Sequence, residues 1–179
     1  MKKRYLCFGF VLVGLMCFLS ANTYAEGEEP EAPKEIINEV QKDTIIDHCD
    51  TIKDNLKSVQ RADSRTRVYL GRYYETILSN FITPLNLRLV ENNISDAKLL
   101  DNQTNFAARR ERFNSDFIVY QQVLEELVNI NCKNEPVRFY EKLEVVREKR
   151  QTVNRDVTKL REMTGEQVKL VEALKNGIE

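Results

Sequence analysis

A scarcity of turn-forming residues constrains the fold of this chain more than any other feature. Residues 44–175 include only two glycines and two prolines, at Gly71, Gly165, Pro84 and Pro136. Glycine and proline are the strongest local markers of turns and helix ends, so their rarity predicts few, long elements. We therefore expect an all-α protein.

Two clusters of turn residues divide this segment into three predicted helices. Residues 91–95 form the first turn, in which Ser95 is suited to cap the following helix. The second turn ends at Pro136, a residue favoured in the first turn of a helix. Pro84 cannot donate a backbone hydrogen bond, so we expect a kink in the first helix there. The predicted helices span about 43–92, 95–131 and 135–176.

Apolar residues recur at a spacing of about 3.5 residues in each predicted helix. The second helix repeats a large apolar side chain every seven residues from Leu99 to Leu127, and the third has a mostly apolar stripe from Phe139 to Ile178. This repeat is typical of a coiled-coil seam, and short turns make neighbouring helices antiparallel. Residues 44–179 are therefore predicted to form three long antiparallel helices in an elongated coiled-coil-like bundle.

The first 25 residues have the order of a secretory signal peptide. Basic residues 2–4 precede an apolar run at 6–19, and small residues suit cleavage after Ala25. As a helix the run would rise only about 21 Å, short of the roughly 30 Å bilayer core, which favours cleavage over a retained anchor. Residues 26–43, with seven acids against two lysines, are predicted to be an acidic flexible leader. The mature chain is expected to be secreted or extracytoplasmic, in the cell envelope.

Two cysteines, Cys49 and Cys132, follow the predicted signal peptide. Export would place them in a compartment that permits disulfides. They are about equally far from the turn near Asn93, so an antiparallel hairpin brings both to the same end of the bundle. We predict a Cys49–Cys132 disulfide. Metal binding by His48 with Cys49 is the weaker alternative, because two adjacent ligands do not make a site.

Polar residues interrupt the apolar stripe at matching levels. Asp63 of the first helix and Arg150 of the third fall at one level if these helices run parallel. We predict a buried polar pair that fixes helix register at some cost in stability, with a role in a binding site as the alternative. Gln103, Thr164 and Gln167 are candidates for a second polar layer.

The residue types needed for common catalytic sites are scarce. The chain has one histidine and no tryptophan, and it has no glycine-rich phosphate loop. We therefore predict no catalytic, cofactor-binding or metal-binding residues, and no enzyme activity. Acidic and basic residues are interleaved along the helices, which gives no electrostatic case for nucleic acid as a partner. Membrane contact is expected only if the signal segment is retained.

Three segments carry a resemblance to a known group of proteins: Ser64–Leu70, Phe81–Val90 and Phe139–Leu143. Together they resemble uncharacterised small secreted helical proteins of reduced-genome, host-associated bacteria. The resemblance covers roughly residues 45–175. It implies an exported, coiled-coil-rich protein and carries no activity, substrate or catalytic residue with it.

Two functions from different classes are compatible with this pattern. Long helical faces suit a structural or protein-interaction module that binds a partner protein or self-associates. The alternative is a small-ligand carrier or enzyme that uses a cleft near Pro84. We expect the aromatic residues in this region to be core packing. A closed apolar core around Tyr73, Phe81 and Phe106 favours the first function, and a deep cavity with convergent polar groups favours the second.

Overall fold

The computed structural model describes residues 37–178, which form helices and connecting turns without a β-strand. The all-α class predicted from the sequence is confirmed. The predicted signal peptide and the leader as far as residue 36 lie outside the described residues. In chain order the elements are α1 Glu39–Asp47, α2 Cys49–Ile77, a π-helical turn Leu78–Ile82, α3 Thr83–Glu91, α4 Ala97–Asn129 and α5 Pro136–Ile178.

Helix α1 begins inside the segment that the sequence analysis assigns to a flexible leader. The Asn38 side chain accepts a hydrogen bond from the backbone N–H of Gln41 at 2.9 Å, and the Gln41 side chain accepts one from the backbone of Asn38 at 3.0 Å. This capping box defines the start of a helix. The preceding Ile37 is buried in the apolar core. Residues 39–43 are therefore helical, because a cap and a buried anchor fix their start.

The predicted first helix, 43–92, is divided at two points. His48 separates α1 from α2, with backbone angles of φ −104° and ψ 13°. The backbone then widens into the π-helical turn at Leu78–Ile82, directly before Pro84 in the first turn of α3. The Thr83 N–H donates to the Leu78 carbonyl, five residues back, so the π turn changes the regular hydrogen-bond pattern next to Pro84, which has no N–H of its own. Single π turns of this kind occur frequently at functional sites.

The turn before α4 is close to the predicted one. Asn93 has a φ of 59°, in the left-handed region that asparagine adopts more readily than most residues. The carboxylate of Asp96 accepts hydrogen bonds from the backbone N–H groups of Lys98 and Leu99, at 2.8 and 3.1 Å. Asp96, rather than the predicted Ser95, is therefore the N-cap.

Helix α4 supplies more buried apolar residues than any other described helix. Its positions at intervals of seven, the stripe predicted from the sequence, are all buried, and α4 contacts both α2 and α5. The regular spacing keeps these side chains on one face. From α5 the core receives Phe139, Val146, Val153, Leu160 and Met163. The buried stripe of α4 comprises Leu99, Phe106, Phe113, Tyr120 and Leu127.

A disulfide joins Cys49, at the start of α2, to Cys132, in the connection between α4 and α5. The two Cα atoms are 5.7 Å apart, and both side chains are buried. The disulfide predicted from the sequence is thus confirmed, and it links residues that are 83 positions apart.

Candidate functional site

Helices α2 and α5 face each other across a cleft that polar contacts cross at two levels. At one level Arg150 donates hydrogen bonds to Asp63. At the other the Tyr74 hydroxyl donates to the backbone carbonyl of Val157 at 3.3 Å. We call the space between these two levels the central pocket. We call the part of the cleft that continues past Tyr74, towards Phe81, the apolar groove.

The structure brings the predicted polar pair together. Arg150 donates from Nε to Asp63 Oδ2 and from Nη2 to Asp63 Oδ1, both at 3.0 Å. The Asp63 side chain is 18% exposed and the Arg150 side chain 51%, so the pair lies at the half-exposed edge of the cleft and is not buried as predicted. A long arginine can cover apolar surface with its stem while its guanidinium stays in water. This exposure lowers the expected contribution of the pair to stability.

A buried tyrosine completes this cluster. The Tyr120 hydroxyl donates a hydrogen bond to Asp63 Oδ2 at 2.6 Å. Burial, followed by this hydrogen bond and the charge of Asp63, raises the pKa of Tyr120 above its ordinary value. The hydrogen bond from Arg150 to Asp63 likewise raises the pKa of Arg150. The hydroxyl therefore remains a donor and the guanidinium remains charged at neutral pH.

The central pocket has an apolar floor and a charged rim. Its volume is about 250 Å³, and Phe113 and Phe117 of α4 form the floor. The guanidinium carbon of Arg67 lies 5.5 Å from the centroid of the Phe117 ring. This is the geometry of a cation–π contact. Among residues 37–178, Arg67 forms no ion pair with a carboxylate.

The apolar groove has a volume of about 480 Å³ and runs beside the π-helical turn. Glu172 is the one charged residue on its walls within the described part of the chain. The aromatic region near Pro84 is therefore not closed core as expected, because the π turn leaves Phe81 exposed while its neighbour Ile82 is buried. The apolar walls include Tyr73, Ile77, Phe81, Leu85, Val168 and Val171.

The predicted second polar layer is replaced by two separate amide pairs. Asn102 Nδ2 donates to Gln167 Oε1 at 2.7 Å, between α4 and α5. Asn86 Nδ2 donates to Gln103 Oε1 at 2.7 Å, between α3 and α4. Thr164 joins neither pair, because its hydroxyl donates to a backbone carbonyl of its own helix.

The sequence pattern did not predict the buried Asn86 and Asn102. Asn102 lies three residues after Leu99 and four before Phe106, both buried. Continuing the four-and-three alternation backwards along the stripe would have identified it as a buried polar position. Asn86 follows the π turn, where the change in helical period removes such a signal.

A buried carboxylate lies between α4 and α5, outside the cleft. Asp156 is almost fully buried and accepts a hydrogen bond on Oδ1 from Arg109 at 2.9 Å. Its second oxygen, Oδ2, is buried without a hydrogen-bond partner among the described residues. Burial, then the hydrogen bond that a protonated Asp116 can donate to Asp156 and the negative charge of Asp156, raise the pKa of Asp116. Two carboxylates can share a hydrogen bond only when one carries a proton, so we expect Asp116 to donate to Asp156.

Asp116→Asn is expected to make stability less dependent on pH. A carboxyl whose pKa is raised on folding stabilises the folded protein most at a pH below the pKa of the unfolded state. This contribution to the free energy of unfolding is lost as the pH rises through the raised pKa of Asp116. The amide donates without titrating, so the variant should gain up to about 1 kcal/mol over wild type at neutral pH. The measurement is the free energy of urea unfolding from pH 4 to 8. Exposed Asp101→Asn serves as the control, and an Asp116→Asn difference that is constant with pH would contradict the assignment.

Within residues 37–178 no cluster of three or more His, Cys, Asp or Glu side chains could hold a metal ion. In the same range, no helix combines the length and the apolar character needed to cross a membrane. No family model, curated protein or solved structure matches this chain.

Proposed function

We propose that this chain is an exported, non-enzymatic protein-interaction module of the cell envelope, which binds an amphipathic helix of a partner protein in the apolar groove. The observation that carries the proposal is the exposure of apolar side chains along one continuous groove. Tyr73, Phe81 and Val168 are 46%, 66% and 54% exposed. Contiguous apolar surface of this kind marks interaction sites on soluble proteins.

The size of the surface favours one helix over a second copy of this chain. Tyr69, which is 68% exposed, stacks against Tyr73 with ring centroids 6.3 Å apart and extends the surface beyond the groove. At roughly 200 Å² for each aromatic side chain, Tyr69, Tyr73 and Phe81 expose on the order of 350 Å². A stable protein interface needs about 800 Å² from each partner. A single amphipathic helix, inserting side chains at helical spacing, matches the smaller area.

The polar groups of the groove support binding rather than catalysis. Gln167 is held by Asn102, and the Thr164 hydroxyl is used by the backbone of α5. Glu172 remains as a charged group at the rim. We therefore propose a partner helix with an apolar face and a basic residue placed to meet Glu172. The carrier or enzyme alternative lacks the convergent polar groups that it requires near Pro84.

The arrangement of the helices is part of the same proposal. We propose that α1–α3, α4 and α5 act as three long antiparallel rods in a coiled-coil-like bundle, with a bend at Pro84. The π turn before Pro84 and the buried heptad stripe of α4 support this description. Export is supported by the signal-like N-terminal sequence and by the disulfide, a bond typical of oxidising compartments.

The proposal is tested by selecting helical peptides from a displayed library against the full-length mature protein. We expect enriched peptides to carry apolar residues at positions i, i+3, i+4 and i+7. Phe81→Asp should weaken their binding at least about tenfold, since it places a charge in an apolar contact. Ile118→Asp is the matched control, because Ile118 is an exposed apolar residue of α4 outside the groove.

Other occupants would give different results. A concentration-dependent dimer in sedimentation velocity, abolished by Phe81→Asp, would replace the partner helix with a second copy. Binding to neutral phospholipid vesicles through Phe81 would replace it with a lipid surface. Peptides that lack helical spacing, or that bind the Phe81→Asp variant as well as wild type, would contradict the proposal.

A further inference from the structure

The central pocket contains a cation that the fold itself does not neutralise. Arg67 is half-buried on α2, and the Asp63 carboxylate in the same pocket is already engaged by Arg150 and Tyr120. Since Asp63 and Arg150 cancel each other, the described residues that line the pocket leave one net positive charge, on Arg67. A partly buried guanidinium without a carboxylate partner favours an anion from outside the fold.

The rim also retains hydrogen-bond donors that can orient such an anion. Arg150 uses Nε and Nη2 for Asp63, and no hydrogen bond within residues 37–178 uses its Nη1. A guanidinium carries five N–H donors in a planar fork that matches a carboxylate. The amide of Asn154 lies on the same rim. Donors from α2 and α5 therefore converge on one opening.

The interior of the pocket selects for an apolar body behind that anion. Below the rim, Leu70, Val153 and Val157 surround the rings of Phe113 and Phe117. An apolar cavity of roughly 150 Å³ holds one benzene ring. The pocket measures about 250 Å³, enough for one such ring, or a short alkyl chain, together with a carboxylate.

We infer that the central pocket is a binding site for a small organic monocarboxylate, with the carboxylate on Arg67 and the apolar body over Phe113 and Phe117. The site is separate from the apolar groove, because the Tyr74–Val157 contact lies between them. A free aromatic or aliphatic acid and the C-terminal carboxylate of a peptide that ends in an apolar residue share this chemistry.

The test is a titration of the full-length, disulfide-bonded mature protein, followed by amide and side-chain chemical shifts. The probes are 3-phenylpropionate, hexanoate and the neutral amide 3-phenylpropionamide. We expect at least one acid to give saturable shifts at Arg67 and Phe117. The amide matched to that acid should bind about tenfold more weakly or worse, because it cannot form a charge-assisted hydrogen bond.

Variants separate a specific site from weak association. Arg67→Gln should reduce the affinity of the acid at least about tenfold, whereas Arg65→Gln, a matched change at an exposed arginine of the same helix, should leave it unchanged. Phe81→Asp should also leave the affinity for the acid unchanged, because Phe81 lies in the apolar groove. The central pocket and the apolar groove are therefore tested independently. Near-native thermal unfolding of Arg67→Gln would show that the variant is folded.

Clear outcomes would overturn the inference. These are the absence of saturable shifts with both acids, equal binding of acid and amide, or equal binding by wild type and Arg67→Gln. A short peptide with a C-terminal phenylalanine distinguishes the two sources of the ligand. Tighter binding of the peptide than of 3-phenylpropionate would identify a protein C-terminus, and weaker binding would identify the free acid.

Discussion

Replacing both Cys49 and Cys132 with alanine is expected to lower the free energy of unfolding by about 4 kcal/mol. The disulfide joins residues that are 83 positions apart and so restricts the unfolded chain. Its loss therefore raises the conformational entropy of the unfolded state. Domains of this size have total stabilities of only about 5–15 kcal/mol, so the loss removes a large share. The measurement is urea unfolding followed by circular dichroism, with the m-value compared between variants.

The reduced wild-type protein is the natural control for this experiment. It should unfold at the same urea concentration as the double variant, because both lack the crosslink while keeping the rest of the core. A double variant that unfolds within about 1 kcal/mol of the oxidised protein would show that the crosslink contributes little. Free thiols at both positions, found by mass spectrometry of unreduced protein, would contradict the bond itself.

Phe106→Ala is expected to cost about 3–5 kcal/mol, because it opens a cavity in the centre of the core. The Phe106 side chain has no exposed surface. Its ring meets Tyr74 edge to face, with centroids 6.1 Å apart, and Tyr74 in turn contacts α5 through Val157. Loss of this ring therefore removes packing between α4 and α2 and loosens the contact that separates the two parts of the cleft. Thermal and urea unfolding measure the effect.

The same substitution at Phe81 is the matched comparison. Phe81→Ala should change the free energy of unfolding by no more than about 0.5 kcal/mol, since the side chain is mostly exposed. It should nevertheless weaken the peptides selected for groove binding. If Phe81→Ala destabilised the protein as much as Phe106→Ala, the groove would be part of the core, and its proposed function would fail.

The features that the sequence predicted well depend on regular periodicity. The seven-residue stripe of α4 identified Phe106, Phe113 and Tyr120 as buried, because a helix keeps such positions on one face. The disulfide followed from counting residues on either side of one turn. The Asp63–Arg150 contact followed from matching levels, although its exposure depends on how far the arginine stem reaches across the surface.

The features that sequence reasoning missed depend on departures from that periodicity. The π turn at Leu78–Ile82 changes which side chains face inward, so an apolar cluster expected to be core leaves Phe81 exposed. Aspartate and serine have nearly equal preference for the N-cap position, so the sequence could not distinguish Asp96 from Ser95. Arg67 looked like one charge among many, and only the tertiary arrangement shows that it lacks a carboxylate partner among the described residues.

The amide pair between Asn102 and Gln167 has a mechanical consequence. The crosslink holds the start of α2 to the α4–α5 connection, whereas the amide pair lies far along α5, beside the groove. Exposing an amide pair to water costs less free energy than exposing an apolar layer, because water can replace its hydrogen bonds. Gln167 Nε2 is already without a partner among the described residues. Water can therefore enter between α4 and α5 at this end at lower cost than near the crosslink, so backbone amides at the far end of α5 are expected to exchange their hydrogens faster than those beside Cys132.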